Sequence, residues 1–163
     1  MKPPYVIREF RRTDFSRLWE IDQKCFPTGI SYSEPELLFY IQRPRAFTLV
    51  AERSGEEGQA VGFIVAEIGT RMGHIITIDV LEQERRGGLG SQLIVAAEDR
   101  LRGAGCQGVF LETAVDNAAA LAFYKRHQYF LAKTVPRYYS TGVDAFVLKK
   151  DLLSPRTLDT LPA

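Results

Sequence analysis

The chain has 163 residues, 45% hydrophobic and 25% charged, the proportions of one globular domain able to bury its own core. Lys and Arg number 21 against 20 Asp and Glu, a formal charge of +1. That balance excludes the global field of a general nucleic-acid or anionic-membrane binder and leaves room only for a local basic patch. No apolar run has the length of a membrane span, and Met1–Tyr5 lacks the apolar stretch of a signal peptide, so a cytoplasmic protein without a membrane partner is expected. Cys25 and Cys106 belong to no CxxC pair and read as free thiols. His74 and His127 have no Cys/His neighbours at ligand spacing, so no metal site is expected.

Val6–Arg8 reads as a first strand. Thr13-Asp14 opens a helix with apolar positions Phe15, Leu18, Trp19, Cys25 and Phe26, stopped by Pro27 and Gly29. Asp22 shares its apolar face. Ser33-Glu34-Pro35-Glu36 has the form of a capping box and starts a second helix that Pro44 ends. Asp22 and Glu36 could draw in a cationic amine, although solvated or capping roles account for both. Phe47–Glu52 and Ala60–Ile68 flank a polar turn as a hairpin, and His74–Leu81 is a β-branched strand. After a Gly-rich turn, Ser91–Arg102 has helical spacing and Gly103 and Gly105 end it. Val109–Thr113 is a strand, Asp116 can cap a helix from Asn117 to about His127, and Tyr129–Val135 and Ala145–Leu148 are the last strands. The order predicts an α/β fold in which a mixed sheet of seven strands has helices on both faces. Residues 1–150 form the single domain and 151–163 a C-terminal tail, with Ser154–Ala163 lacking any core pattern.

The turn Arg85-Arg86-Gly87-Gly88-Leu89-Gly90 lies between a strand and a helix. Glycines allow close backbone approach, a helix start offers free N–H groups, and the arginines add positive charge, which together suit a pyrophosphate. A connecting turn with solvated arginines fits the same residues equally well. A dinucleotide fingerprint and a P-loop are both absent.

Arg85-x-x-Gly88-x-Gly90 resembles the R/Q-x-x-G-x-G/A signature of the GNAT superfamily of acetyl-CoA-dependent N-acetyltransferases. A second segment, Leu111-Glu112-Thr113 through Asn117 and Ala120 to Tyr124, is similar to the L-E-V-x-x-x-N-x-x-A-x-x-x-Y stretch of ribosomal-protein-alanine N-acetyltransferases (RimI-like). The similarity runs from about Val6 to Lys150. It implies a GNAT fold, acetyl-CoA as acetyl donor, and direct attack by a primary amine in a ternary complex. It also implies residue roles. Glu112 matches the general base and Tyr124 the general acid. Ile78, Asp79 and Val80 match the strand beside the pantetheine arm, with the Val80 N–H as oxyanion donor. Arg85, Arg86, Gly87, Gly88, Leu89, Gly90 and Ser91 match the pyrophosphate loop, and Asn117 a contact to the arm. Tyr138 and Tyr139 match tyrosines of the acceptor wall. Lys125 and Arg126 lie where a ribose phosphate could be reached, although a solvated face fits them better.

The chain departs from the pattern where His127-Gln128-Tyr129 replaces Leu-Gly-Phe, where Thr113-Ala114 replaces Val-Arg and where Leu81-Glu82 replaces an acidic-Pro pair. Without the glycine, Gln128 must take strained dihedrals or the helix must end differently. The second motif favours a protein or peptide amine as acceptor, a protein N-terminus among them. A small amine (aminoglycoside, polyamine or amino acid) and a non-catalytic acyl-CoA-binding domain are the alternatives. No nucleic-acid partner is expected, and the chain is a monomer or a homodimer.

Overall fold

The computed structural model describes residues 4–153, and the tail expected from Ser154 lies outside them. Seven strands form one sheet: β1 Tyr5–Glu9, β2 Ala46–Arg53, β3 Ala60–Glu67, β4 Met72–Val80, β5 Gly108–Ala114, β6 Phe130–Val135 and β7 Ala145–Asp151. Their spatial order is β1-β2-β3-β4-β5-β7-β6, with every pairing antiparallel except β4 with β5. The helices are α1 Phe15–Cys25, α2 Glu34–Ile41, α3 Leu89–Gly103 and α4 Ala118–Arg126. The element order agrees with the sequence reading. β7 continues one residue past Lys150, and Leu152 is buried, so the folded unit reaches beyond the expected boundary.

Local chemistry sets the helix ends. Asp14 sits in a short 3-10 turn before α1, and its carboxyl receives two 2.9 Å bonds from Arg8, whose guanidinium holds it below the usual carboxylate range. The capping box at α2 forms as expected: Ser33 Oγ accepts from Glu36 N at 3.2 Å, and Ser33 N donates to Glu36 Oε1 at 2.9 Å. At α4 the cap is Asn117, whose Oδ1 accepts from Ala120 N at 3.1 Å, instead of Asp116. Gln128 takes the strained route, with φ +69°. Tyr129 N bonds to Tyr124 O and Gln128 N to Lys125 O, a Schellman closure without its usual glycine.

Two irregularities of β4 position the site. Its pairing with β3 slips between Val65–Thr77 and Ala66–Ile75, so Ile76 is an extra residue, a β-bulge. The bulge reverses the alternation. Ile75, Ile78 and Val80 therefore share the α3 side of the sheet, while His74, Thr77 and Asp79 share the α1 side. The second irregularity is the parallel β4–β5 pairing, which spans only Met72–Gly108, Gly73–Val109 and His74–Phe110. Beyond those three pairs the strands part and open a cleft.

Candidate active site

The cleft wall on β4 carries unused backbone groups. Leu81 N donates to Val61 O at 3.0 Å, so Leu81 and Val61 form a hydrogen-bonded antiparallel pair. Gly62–Val80 and Ile64–Ile78 are then the non-hydrogen-bonded pairs, and the N–H groups of Ile78 and Val80 point away from β3 into the cleft. Asp79, expected beside them, contributes backbone only. Its side chain turns to the other face of the sheet and is 1% exposed.

The glycine-rich turn joins this wall to α3. Arg86 and Gly88 are left-handed, with φ +72° and +82°, and Gly88 is the residue before the first turn of α3. Leu89 is buried in the core, so only its backbone faces the turn; this anchor starts α3 two residues earlier than the sequence pattern suggested. A Cβ on Gly90 would lie 3.1 Å from Phe123 Cε1, so this glycine lets α3 and α4 approach at the mouth of the cleft. Arg85 folds back, its Nε donating to Val80 O at 2.9 Å, while Arg86 is exposed. Ser91 Oγ is hydrogen-bonded to His127 Nε2 at 2.8 Å. Free N–H groups, left-handed turn residues and a helix start with no side-chain cap together fit a bound pyrophosphate with an extended arm.

Glu112 lies on the α1 side of β5. Its Oε1 is 2.7 Å from His74 Nε2, and the His74 ring stacks on Phe110 at 4.2 Å between centroids. In the sequence, His74 has no partner at short spacing. The pairing depends on the Ile76 bulge and the β4–β5 register, and local spacing carries no signal of either. Tyr124, on α4, is buried against Phe123 and Tyr129. Burial, then the charge of Asp79, pushes its hydroxyl well above the usual tyrosine range. No described residue hydrogen-bonds that hydroxyl.

Above Glu112 stand two loops. The segment between α1 and α2 carries Tyr32, whose hydroxyl donates to Ile76 O at 3.3 Å and whose ring lies 5.3 Å from that of Tyr40. The loop between β6 and β7 carries Tyr138 and Tyr139, edge-to-face at 4.9 Å. The Glu112 charge acts on both, adding to burial in raising their hydroxyls. The loops meet where Ser140 Oγ donates to Gly29 O at 3.1 Å and the Thr141 methyl packs on Gly29. Asp22 is no surface lure for an amine. It is fully buried, and its Oδ2 accepts from Tyr32 N at 2.8 Å.

The arrangement is therefore a cleft lined by backbone donors on one side, with tyrosines of two loops gathered near a carboxyl on the other. Residues 15–129 match the acetyltransferase (GNAT) family. The chain belongs to the GNAT family. It is an acetyl-CoA-dependent N-acetyltransferase, with the fold and donor that the resemblance implied. An uncharacterised N-acetyltransferase of Methanocaldococcus jannaschii is 33% identical over 147 residues, covering 89% of this chain and 90% of its own. An N-alpha-acetyltransferase of Sulfurisphaera tokodaii is 27% identical over 161 residues, covering 91% and 93%. Among solved structures, Ard1 of Thermoplasma volcanium superimposes with a TM-score of 0.83 at 27% identity, over 93% of this chain and 100% of that one. The ribosomal-protein-S18-alanine N-acetyltransferase of Escherichia coli shares the fold, with a TM-score of 0.79 at 22% identity, over 98% and 99%. Among the described residues of this GNAT chain, no helix is long and apolar enough to cross a membrane.

Proposed function

We propose that this acetyltransferase acts on the free α-amine of a protein or peptide N-terminus. The observation that carries this reading is the bridge between the two loops, Ser140 Oγ to Gly29 O, above Glu112. An open groove admits the middle of a chain. A groove bridged over its top admits a chain end. The walls are aromatic, and the nearby carboxyls Asp22 and Asp79 are buried and engaged. A polycationic small amine would need several accessible carboxylates, whereas an extended peptide stacks and hydrogen-bonds on tyrosines. The N-alpha-acetyltransferase relatives support the same acceptor.

In this reading Ile78 and Val80 offer their N–H groups to the pantetheine arm and the donor carbonyl oxygen. Arg86 and the backbone of residues 87–91 hold the pyrophosphate, and Asn117, whose Oδ1 already caps α4, offers its amide N–H to the arm. Arg85 acts indirectly, by fixing Val80 through its carbonyl. Glu112, oriented by His74, takes a proton from the incoming ammonium. The amine nitrogen bonds to the acetyl carbon, the carbon–sulfur bond breaks as Tyr124 gives its proton to the departing thiolate, and the second proton that the nitrogen loses on becoming an amide restores the Tyr124 hydroxyl. A tyrosine kept neutral by burial is suited to that donation. Tyr138 and Tyr139 line the path of the acceptor.

The test is thiol release from acetyl-CoA with three acceptor sets: peptides with free N-termini, N-terminally blocked lysine peptides, and polyamines or aminoglycosides. The expected result is turnover confined to the first set, with mass spectrometry placing the acetyl group on the α-nitrogen. Faster turnover of blocked lysine peptides or small amines overturns the reading.

A further inference from the structure

Asp22 of α1 and Asp79 of β4 are a pair of fully buried acids that the acetyl-transfer chemistry does not use. Helix α1 packs on β4, and each of the two carboxyls acts on the other. One oxygen of each is taken: Asp22 Oδ2 accepts from Tyr32 N at 2.8 Å, and Asp79 Oδ1 accepts from Thr77 Oγ1 at 2.5 Å. The other two, Asp22 Oδ1 and Asp79 Oδ2, find no donor among the described residues. Two unpaired acceptor oxygens buried in one packing interface are unfavourable, and a single proton shared between the two carboxyls satisfies both.

We infer that Asp22 and Asp79 share one proton, and that this acid–carboxylate pair is a latch holding the loop between α1 and α2 onto β4. The chain of contacts is short. Tyr32 N is tied to Asp22, Asp22 to Asp79, and Asp79 is flanked in sequence by Ile78 and Val80 of the cleft wall. The Tyr32 hydroxyl clips the same loop to the bulged Ile76. The latch therefore fixes one wall of the acceptor channel against the strand that faces the donor. Asp22 and Asp79 are positioning residues.

The latch is pH-sensitive in one direction. Burial first, and then the neighbouring Asp22, hold Asp79 well above the usual carboxylate range. The folded protein thus keeps a proton that the unfolded chain releases near pH 4, so the pair's contribution is complete below that pH and is lost as pH rises through the folded value. The other groups facing the pair are Cys25 of α1, Tyr32 of the loop, Tyr124 of α4 and Arg85 beyond β4. Burial pushes Cys25 up to about 11 and holds Tyr32 and Tyr124 well above the usual tyrosine range.

Asp22→Asn keeps an oxygen for Tyr32 N and turns an amide N–H toward Asp79. Asp79→Asn does the same from the other side, so one variant serves if the other folds poorly. The expected result has three parts. Infrared difference spectra of the wild type at pH 7 contain a protonated-carboxyl band that either variant loses. The melting temperature of the variant, relative to wild type, climbs from pH 5 upward by roughly 3–5 °C per pH unit, as one withheld proton requires. The acceptor KM of the wild type, relative to the variant, stays level where that difference climbs, because the folded pair keeps its proton there, and rises severalfold where the protonated-carboxyl band fades, while the acetyl-CoA KM does not. No protonated-carboxyl band in the wild type, or parallel melting curves, overturns the shared proton. An acceptor KM ratio that stays flat as the band fades overturns the latch. The acceptor-channel assignment rests on the proposed function, whereas the band and the melting curves test the pair without any acceptor.

Discussion

The two sides of the site are built from different materials. The donor side, β4 with the glycine-rich turn and α3, presents backbone: N–H groups of Ile78 and Val80, left-handed Arg86 and Gly88, and Gly90 kept small beneath Phe123. The acceptor side presents side chains brought together from distant segments: His74 and Glu112 across two strands, and Tyr32 and Tyr138 from loops more than a hundred residues apart. A backbone site tolerates most side-chain changes and fails when a residue needs room. A side-chain site fails at single atoms.

That contrast is tested most severely at Glu112. Glu112→Gln keeps the shape and is expected to lower kcat by about 10²–10⁴, with the acetyl-CoA KM unchanged. In the proposed mechanism His74 works through Glu112, so adding His74→Ala to that variant should cost little more, in a double-mutant cycle read by steady-state kinetics. Tyr124→Phe retains the packing on Phe123 and Tyr129 and is expected to lower kcat by roughly 10²-fold without moving the melting temperature. An unchanged kcat would make Tyr124 a core residue. On the donor side, Gly90→Val should raise the acetyl-CoA KM by roughly tenfold, equivalent to ~1.4 kcal/mol, and leave the acceptor KM in place. A rise in both would mean that the two sides are less separate than their materials suggest. The smallest effect is expected at Ser33→Ala, which removes one bond of the α2 cap. It should cost about 1 kcal/mol in denaturant unfolding and leave turnover at 25 °C unaltered.

The same contrast explains what could be read from the chain alone. A turn that needs left-handed backbone and close approach must use glycine, so residues 85–90 announce themselves. Helix caps are local as well, and Ser33 with Glu36 behaves as its spacing requires. At α4 two adjacent polar residues competed, and spacing could not decide that Asn117 rather than Asp116 faces Ala120 N. His74 was hidden by a tertiary event. Strict alternation puts it on the face of Ile78 and Val80, and the extra residue at Ile76 moves it to the opposite one, beside Glu112. Asp22 was legible in part. It sits one turn from Leu18 on the apolar face of α1, which is a reason to expect burial, but its partner lies 57 positions away on β4.

The brief parallel contact between β4 and β5 has a consequence for how the molecule opens. Three residue pairs are all that join β1–β4 to β5–β7 within the sheet, whereas β5 and β7 are paired along their full lengths. The polypeptide is thus two leaves on a short seam, and amide hydrogens along the seam should exchange through an opening that leaves each leaf folded. In the proposed placement, an extended donor lying in the cleft and bonding to Ile78 and Val80 would substitute for the missing stretch of strand. The substrate then acts as a stitch, and protection spreading across both leaves when acetyl-CoA is added is the signature to look for by hydrogen exchange.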